Sequence, residues 1–454
     1  MLIRFTVENF LSFKDEVEFS MVAGRPRKHP DHILPRKSKR DLRILKTAVI
    51  YGANASGKSN LIKAMSFARN LIVEGRSEGQ YIPVSPFRFD TAYNDKPSKF
   101  QFEIKCSTAS YVYGFEVDSR RVHSEWLYEI HTSRHDLIFE RRTDSEDNVT
   151  LEPESLGVTI DKRTGFIPYL LDTVQSNQLF LKHGVANRVS HFYDIYDWFR
   201  KSLVLIYPDT RLSVGFGIMF KNNQDYKRRF RNIISSFDLG FSDIDLPETD
   251  LESEWRLPPE VREYVIQKIK ELPRESGGNV AAYIEDLNIY IEVDKNDDVR
   301  AYKFETIHNV VGQRSPARME LTDESDGTRR VFDLVPALIS LLSDDRERVC
   351  VIDELDRRLH ANLSHKIIEL FLAKSEQLSS QLIVTTHELQ LLDLDLLRRD
   401  EVWFIEKNAR GSSTAFSLEE FHPRYDKDIR KSYLQGRFGA IPLLPSRRSL
   451  ELRQ

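Results

Sequence analysis

Cysteine is almost absent from this chain. Cys106 and Cys350 are the only two among 454 residues, and both fall in apolar, strand-like runs, which excludes a disulfide framework and a Cys/His zinc spacing. Long hydrophobic runs are missing too. The longest, residues 334–342, spans about nine residues, where a bilayer crossing needs about twenty. Charge of one sign is not in excess: Lys and Arg total 66, Asp and Glu 70, a formal net charge of −4. That balance excludes a polycation of the histone kind and leaves room for a local basic patch. The opening Met1-Leu2-Ile3-Arg4-Phe5 alternates as a strand does and lacks the charged-then-apolar order of a signal peptide. No internal repeat, sustained heptad run or low-complexity tract occurs. What remains is a chain 40% hydrophobic and 30% charged, expected to be soluble and cytoplasmic, with a large core and two or three structural units.

Along the chain the hydrophobic period changes. Leu2, Ile3, Phe5 and Val7 read as one strand, and Val17 and Phe19 as a second. A polar stretch, residues 24–43, precedes the buried-strand signal Thr47-Ala48-Val49-Ile50-Tyr51. Leu61, Met65, Ala68 and Ile72 then share one helical face. Alternation returns at Phe100, Phe102, Ile104 and Cys106 and again at Tyr111, Tyr113, Phe115 and Val117, the pattern of an antiparallel layer with one buried face. Helical periods dominate from about 175 to 280. After Asp326, short apolar strands at 349–352, 382–385 and 402–405 alternate with helices, the mark of a parallel sheet covered on both faces. The expected fold is α/β, in two halves separated by a largely helical insertion.

Gly52-Ala53-Asn54-Ala55-Ser56-Gly57-Lys58-Ser59 fits the phosphate-loop pattern G-x-x-x-x-G-K-[ST] without mismatch, after an apolar strand and before an amphipathic helix. The glycines let backbone N–H groups turn inward around phosphate oxygens, and the helix N-terminus adds its positive end. Lys58 is expected on the β- and γ-phosphates of ATP and the Ser59 hydroxyl on Mg²⁺. Gly52, Asn54, Ala55, Ser56, Gly57 and the following Asn60 complete the expected ATP-binding set.

Val349-Cys350-Val351-Ile352-Asp353-Glu354 is a buried strand ending in two carboxylates. Asp353 is expected to hold Mg²⁺, directly or through water. Glu354 is expected to polarise the attacking water, since general-base chemistry needs a carboxylate within one hydrogen bond of it. His387 follows another buried strand, Leu382-Ile383-Val384-Thr385-Thr386, and is expected near the γ-phosphate as a donor that senses or stabilises it.

These three elements together resemble the ATP-binding-cassette class of P-loop ATPases, in its soluble SMC-like branch. Phe5-x-Val7-x-Asn9-Phe10-x-Ser12-Phe13-Lys14 is similar to the first hairpin of that branch, and Asp353-Glu354-Leu355-Asp356-x-x-Leu359-His360 to its acidic motif running into the D-loop. Glu324-Ser325-Asp326-Gly327-Thr328 stands where the class has its Ser-Gly-Gly signature, with Asp326 in place of a glycine. Tyr433-Leu434-Gln435-Gly436-Arg437-Phe438-Gly439-Ala440-Ile441-Pro442 resembles the tail of RloA/AbiL-type ATPases from bacterial phage-defence and restriction-linked loci. The likeness covers residues 1–130 and 300–445 and is thin between them.

The resemblance implies an ABC-type head with a parallel core sheet and an N-terminal antiparallel layer. It implies a head-to-tail homodimer, or a higher homo-oligomer, in which Ser325, Asp326, Gly327 and Thr328 complete in trans a site holding another copy's Lys58, Asp353 and Glu354. It further implies a Mg²⁺-dependent ATPase that regulates an effector, nuclease-like and encoded by a neighbouring gene, in antiviral defence. Domain limits follow as 1–174 for an N-terminal lobe, 175–285 for the helical insertion or lid, and 286–454 for a C-terminal lobe. Lys58 and Asp353 lie 295 residues apart, a gap that SMC-like proteins fill with coiled coil; without heptads it reads as a compact module. Gln175 and Gln178 are the candidates for the Q-loop of the class.

Two basic clusters stay open between phosphate binding and plain solvation: Arg25, Arg27, Lys28, Arg36, Lys37, Lys39 and Arg40, and the helical Lys227, Arg228, Arg229 and Arg231. They carry the alternative reading, an SMC- or repair-like clamp in which ATP closes the chain on DNA. The tail, residues 433–442, reads as an ordered segment packed on the core or on a partner. Outside Asp353-Glu354 the acidic residues form no two-metal nuclease cluster, so any cutting is expected in another chain.

Overall fold

Alternating apolar residues place the chain's first strand, Leu2–Glu8, in a seven-stranded antiparallel sheet. Val17–Ser20 pairs on one side of it, with Phe5 opposite Phe19 and Val7 opposite Val17. Ser98–Lys105 pairs on the other side, followed outward by Ser110–Val117, Val122–Ile130, His135–Thr143 and Val149–Glu152. The structure is a computed structural model, and it describes residues 1–441 except 26–27, 37, 40, 108, 132–133, 153–165, 212–213, 251–257, 273–278, 285–287, 313–314, 344–346 and 425–427.

The second sheet positions the chemistry. Its order is Ser413–Ser417, Val402–Lys407, Thr47–Tyr51, Ser380–Thr385, Arg348–Ile352, Leu203–Ile206. The last five run parallel, and Ser413–Ser417 is antiparallel to its neighbour. Thr47–Tyr51 is buried throughout, as a central strand of a two-side-covered sheet must be. The strand leading to His387 therefore lies between the strand leading to Gly52 and the one leading to Asp353. The helix Lys58–Glu74 buries Leu61, Met65, Ala68 and Ile72 and sets Phe67 against Phe10 and Phe100, with ring centroids 5.4 and 5.0 Å away. Apolar residues of both sheets and this helix share one core.

The chain divides into two compact units. One comprises Met1–Pro208, Leu341–Asp356 and Ile367–Gln454, the other Asp209–Ser340 and Arg357–Lys366. These limits differ from the expected 175 and 285. The reason is Leu203–Ile206, a strand inside a stretch of helical period: it pairs Leu203 with Val349 and Ile206 with Ile352 and ties everything before residue 208 to the core sheet. The second unit is helix-rich, with Val214–Asn222, Gln224–Ile234, Pro259–Lys270 and most of Asp326–Leu341, and it also carries two small antiparallel sheets, of three and four strands. Among the described residues no helix is long and apolar enough to cross a membrane.

Candidate functional site

The loop between Tyr51 and Lys58 is shaped by what glycine alone permits. A Cβ on Gly52 would stand 2.4 Å from the carbonyl oxygen of Ile405, and Gly57 takes φ of +116° with Ser413 and Ser12 hydroxyls 2.5 and 2.8 Å from its absent Cβ. Ala55 also takes a left-handed φ, +62°, a strain found where a backbone is held for function. Behind the loop, Ser413 Oγ donates to the Ser56 carbonyl (2.5 Å) and accepts from the Ser12 hydroxyl (2.8 Å). Asn60 donates to the same Ser12 Oγ at 2.8 Å. Asn60 thus braces the loop from behind, while Asn54 and Ala55 are exposed on its outer side.

Lys58 is buried, and its Nζ donates to the carbonyls of Gly52 (2.8 Å) and Ala53 (3.2 Å). Burial pushes its pKa down to about 8, against the pull of Asp353, Asp356 and Glu354. The Ser56 hydroxyl, also buried, has no hydrogen-bond partner among the described residues. A buried ammonium on the loop's own carbonyls, and in the same loop a buried hydroxyl without a partner among the described residues, form a donor set suited to phosphate oxygens.

At the ends of the adjacent strands one hydroxyl organises both carboxylates. Thr385 donates from Oγ1 to Asp353 Oδ1 at 2.6 Å and accepts from the Glu354 amide at 2.8 Å. Ser59 donates to the same Asp353 oxygen at 3.2 Å, which brings the two residues expected to hold Mg²⁺ together. Asp353 is 3% exposed, and its amide continues the sheet onto Ile206 at 2.8 Å. Glu354 sits at φ +48°, turned out of the strand direction. Asp356 accepts from the His387 amide at 3.3 and 3.2 Å. His387 is open to solvent at its strand end; partial enclosure of its ring, then Lys58, lower its pKa against the three nearby carboxylates.

The structure thus gathers Gly52, Ser56, Gly57, Lys58, Ser59, Asp353, Glu354 and His387 at one end of one sheet. Ser325, Asp326, Gly327 and Thr328 belong to the second unit. There Ser325 Oγ accepts from the Thr328 amide at 3.1 Å as a helix cap, Asp326 pairs with Arg329, and a Cβ on Gly327 would meet the Arg358 carbonyl at 2.9 Å. The Q-loop expectation is overturned. Gln178 donates to the Arg76 carbonyl at 3.0 Å, Gln175 bonds Gln178 and, through its own carbonyl, Arg141, and all of this lies beyond the far end of the helix Lys58–Glu74, about 25 Å along its axis.

The basic clusters lose force as phosphate sites. Lys227 pairs with Asp245, Arg228 and Arg229 with Asp225, and Arg231 with Asp243, so this helix presents paired charge. Of the N-terminal run, Lys28 pairs with Asp395 at 2.7 Å and Arg36 donates to the Lys39 carbonyl at 3.4 Å; Arg27, Lys37 and Arg40 lie outside the described residues, as does Pro442 of the tail. Sequence reasoning missed the bracing roles of Ser12 and Ser413 and the organising role of Thr385. Ser12 stood in the quoted N-terminal motif and Thr385 at the strand end; Ser413 carried no signal.

A phosphate loop on a parallel sheet, with an acidic strand one place removed, defines a P-loop ATPase. Residues 48–393 match the model of the family described as "AAA domain, putative AbiEii toxin, Type IV TA system", well over half of the chain, and the chain belongs to that family. No curated protein matches it. Solved structures similar to it include the SMC head domain from Thermotoga maritima, at 14% identity over 92% of this chain and 98% of that one with a TM-score of 0.37. An SMC head bound to the C-terminal winged-helix domain of ScpA matches at 14% identity over 92% and 99%, TM-score 0.39. An SMC head with an extended coiled coil bound to the C-terminal domain of ScpA from Pyrococcus furiosus matches at 13% over 93% and 99%, TM-score 0.35.

Proposed function

We propose that this ATPase is Mg²⁺-dependent, dimerises head-to-tail on ATP, and regulates an associated effector in antiviral defence, as an ATPase of the RloA/AbiL type. The carrying observation is the convergence of Ser59 and Thr385 on one oxygen of Asp353 while Thr385 also holds the amide of Glu354. In this reading the loop amides, Lys58 and the free Ser56 hydroxyl bind the phosphates of ATP. Ser59 and Asp353 would hold Mg²⁺, which would supply neutralisation of phosphate charge. Glu354 takes a proton from the attacking water, and His387 donates toward the γ-phosphate. Ser325, Gly327 and Thr328 of a second copy close the site. The family's description as a putative toxin of a type IV toxin–antitoxin system supports a role in which the ATPase acts with another gene product, here a nuclease-like effector. The nucleic-acid clamp loses its helical contact surface to the ion pairs on Gln224–Ile234.

Light scattering on the Glu354→Gln variant tests the switch. With ATP and Mg²⁺ the measured mass doubles or multiplies, and without nucleotide it returns to that of the starting species. An unchanged mass contradicts ATP-driven assembly. Co-purification with the neighbouring gene products tests the effector: a stoichiometric nuclease-like protein is expected, and retained nucleic acid alone favours the clamp.

A further inference from the structure

Residues 428–440 pack at once on the loop that follows His387 and on the strand that flanks the phosphate loop. In the helix Ile429–Leu434, Arg430 donates from Nη2 to Asp393 Oδ2 at 2.6 Å and from Nε to the Leu392 carbonyl at 3.2 Å. Leu392 and Asp393 close the turn that begins at His387, whose own amide is fixed by Asp356. Beyond the helix the chain doubles back through Gly436 and Gly439, at φ +73° and +69°. Tyr433 donates its hydroxyl to the Ala440 carbonyl at 2.9 Å, and the Ala440 amide donates to Glu406 Oε1 at 3.2 Å. The φ of Gly439 favours glycine, and a Cβ there would lie 2.9 Å from Glu406 Oε2, so a side chain at 439 would strain the turn and displace the carboxylate it seats on.

Glu406 is the residue after Ile405, whose carbonyl leaves no room for a side chain at Gly52. The turn therefore rests on the strand that flanks the phosphate loop. Its aromatic side chains reinforce this. Tyr433 stacks on Phe404 at 5.3 Å and 17°, and Phe438 at 6.0 Å and 19°. Tyr433 also stands 6.2 Å from the ring of Tyr51, the residue before Gly52, whose buried hydroxyl has no hydrogen-bond partner among the described residues.

We infer that residues 428–440 are a positioning clamp: Arg430 fixes the loop carrying His387, Glu406 seats the turn beside the phosphate loop, and the segment holds the two in register. Arg430 and Glu406 act through these elements rather than on the nucleotide. The inference rests on the ATPase reading, because only a shared substrate gives that register a purpose.

The test compares Arg430→Ala, Arg430→Lys and Gly439→Val with wild type, and with Arg437→Ala as a control in the exposed part of the same turn. Amide hydrogen exchange over residues 386–393 is read in the free protein, and kcat and KM for ATP at saturating Mg²⁺. Arg430→Ala and Gly439→Val are expected to speed exchange there and lower kcat about tenfold with KM within about twofold, a loss of transition-state stabilisation rather than of binding. Arg430→Lys keeps the ion pair with Asp393 and recovers part of kcat; Arg437→Ala behaves as wild type. Unchanged exchange in both disruptive variants overturns the clamp whatever the turnover. Faster exchange with wild-type kcat overturns its part in catalysis. A wild-type protein that does not hydrolyse ATP fails the ATPase reading instead, and exchange still decides whether the clamp exists.

Discussion

Thr385 and Asp353, at the ends of neighbouring parallel strands, are joined by a 2.6 Å hydrogen bond that fixes the carboxylate expected to face Mg²⁺. The same hydroxyl takes the amide of Glu354. A single threonine thereby sets the relative placement of Asp353 and Glu354. Thr385→Val keeps the shape and removes both bonds. An unsatisfied buried group costs about 1–3 kcal/mol, so turnover is expected to fall about tenfold to a hundredfold while ATP binding weakens less. Steady-state kinetics with a fluorescent ATP analogue for binding checks the split.

Lys58 is expected to make ATP binding depend on pH. Its ammonium is held at about 8 by burial, below its ordinary value of 10.5, and ATP phosphates favour the charged form. Binding is therefore expected to take up a proton as pH approaches and passes 8, and affinity to fall as pH rises beyond it. Titration calorimetry in buffers of unequal ionisation enthalpy reads the uptake. The free protein carries the opposite sign: between about 8 and 10.5 the unfolded chain holds the proton that the fold has released, so stability rises with pH across that window.

Much of this was legible in the sequence, for a physical reason. Gly52, Gly57, Lys58 and Ser59 are fixed by contiguous local geometry, and the runs before Asp353 and His387 are continuous apolar strands, the signature of a sheet buried on both faces. What escaped was long-range. Leu203–Ile206 is too short to stand out among helical periods, and only its pairing with Val349–Ile352 makes it a strand. Ser413 braces the loop from 357 residues away, a relation no local pattern carries. Gln175 and Gln178 had suitable chemistry and order along the chain, but the helix Lys58–Glu74 carries their contact site away from the phosphate loop.

Gly57 tolerates no side chain. Its φ of +116° and the Ser413 and Ser12 hydroxyls at 2.5 and 2.8 Å from a Cβ predict that Gly57→Ala abolishes ATP binding. Gly57→Ala combined with Ser413→Ala relieves one contact and leaves the backbone strain, so binding is expected to stay lost. Equilibrium binding of ATP to both variants, with circular dichroism to confirm folding, measures this.

Sharing of the site between copies can be separated from binding. Lys58→Ala destroys the phosphate loop of one copy, and Gly327→Val, whose Cβ would press on the Arg358 carbonyl at 2.9 Å, damages the signature turn of another. Each variant alone is expected to be inactive. Mixed, they form dimers with one intact composite site, so up to about a quarter of wild-type turnover is expected to return at equal mixing, given random pairing and independent sites. No recovery, with mixed dimers confirmed by mass, contradicts completion in trans.

The most direct test of the central claim is phosphate release by wild type and Glu354→Gln, measured with ATP, with and without Mg²⁺, alongside equilibrium ATP binding. The account predicts Mg²⁺-dependent turnover in wild type, a fall of at least about a hundredfold in the variant as expected for loss of a general base, and ATP affinity retained. Equal turnover in the two proteins would contradict the assignment of Glu354 and the mechanism built on it.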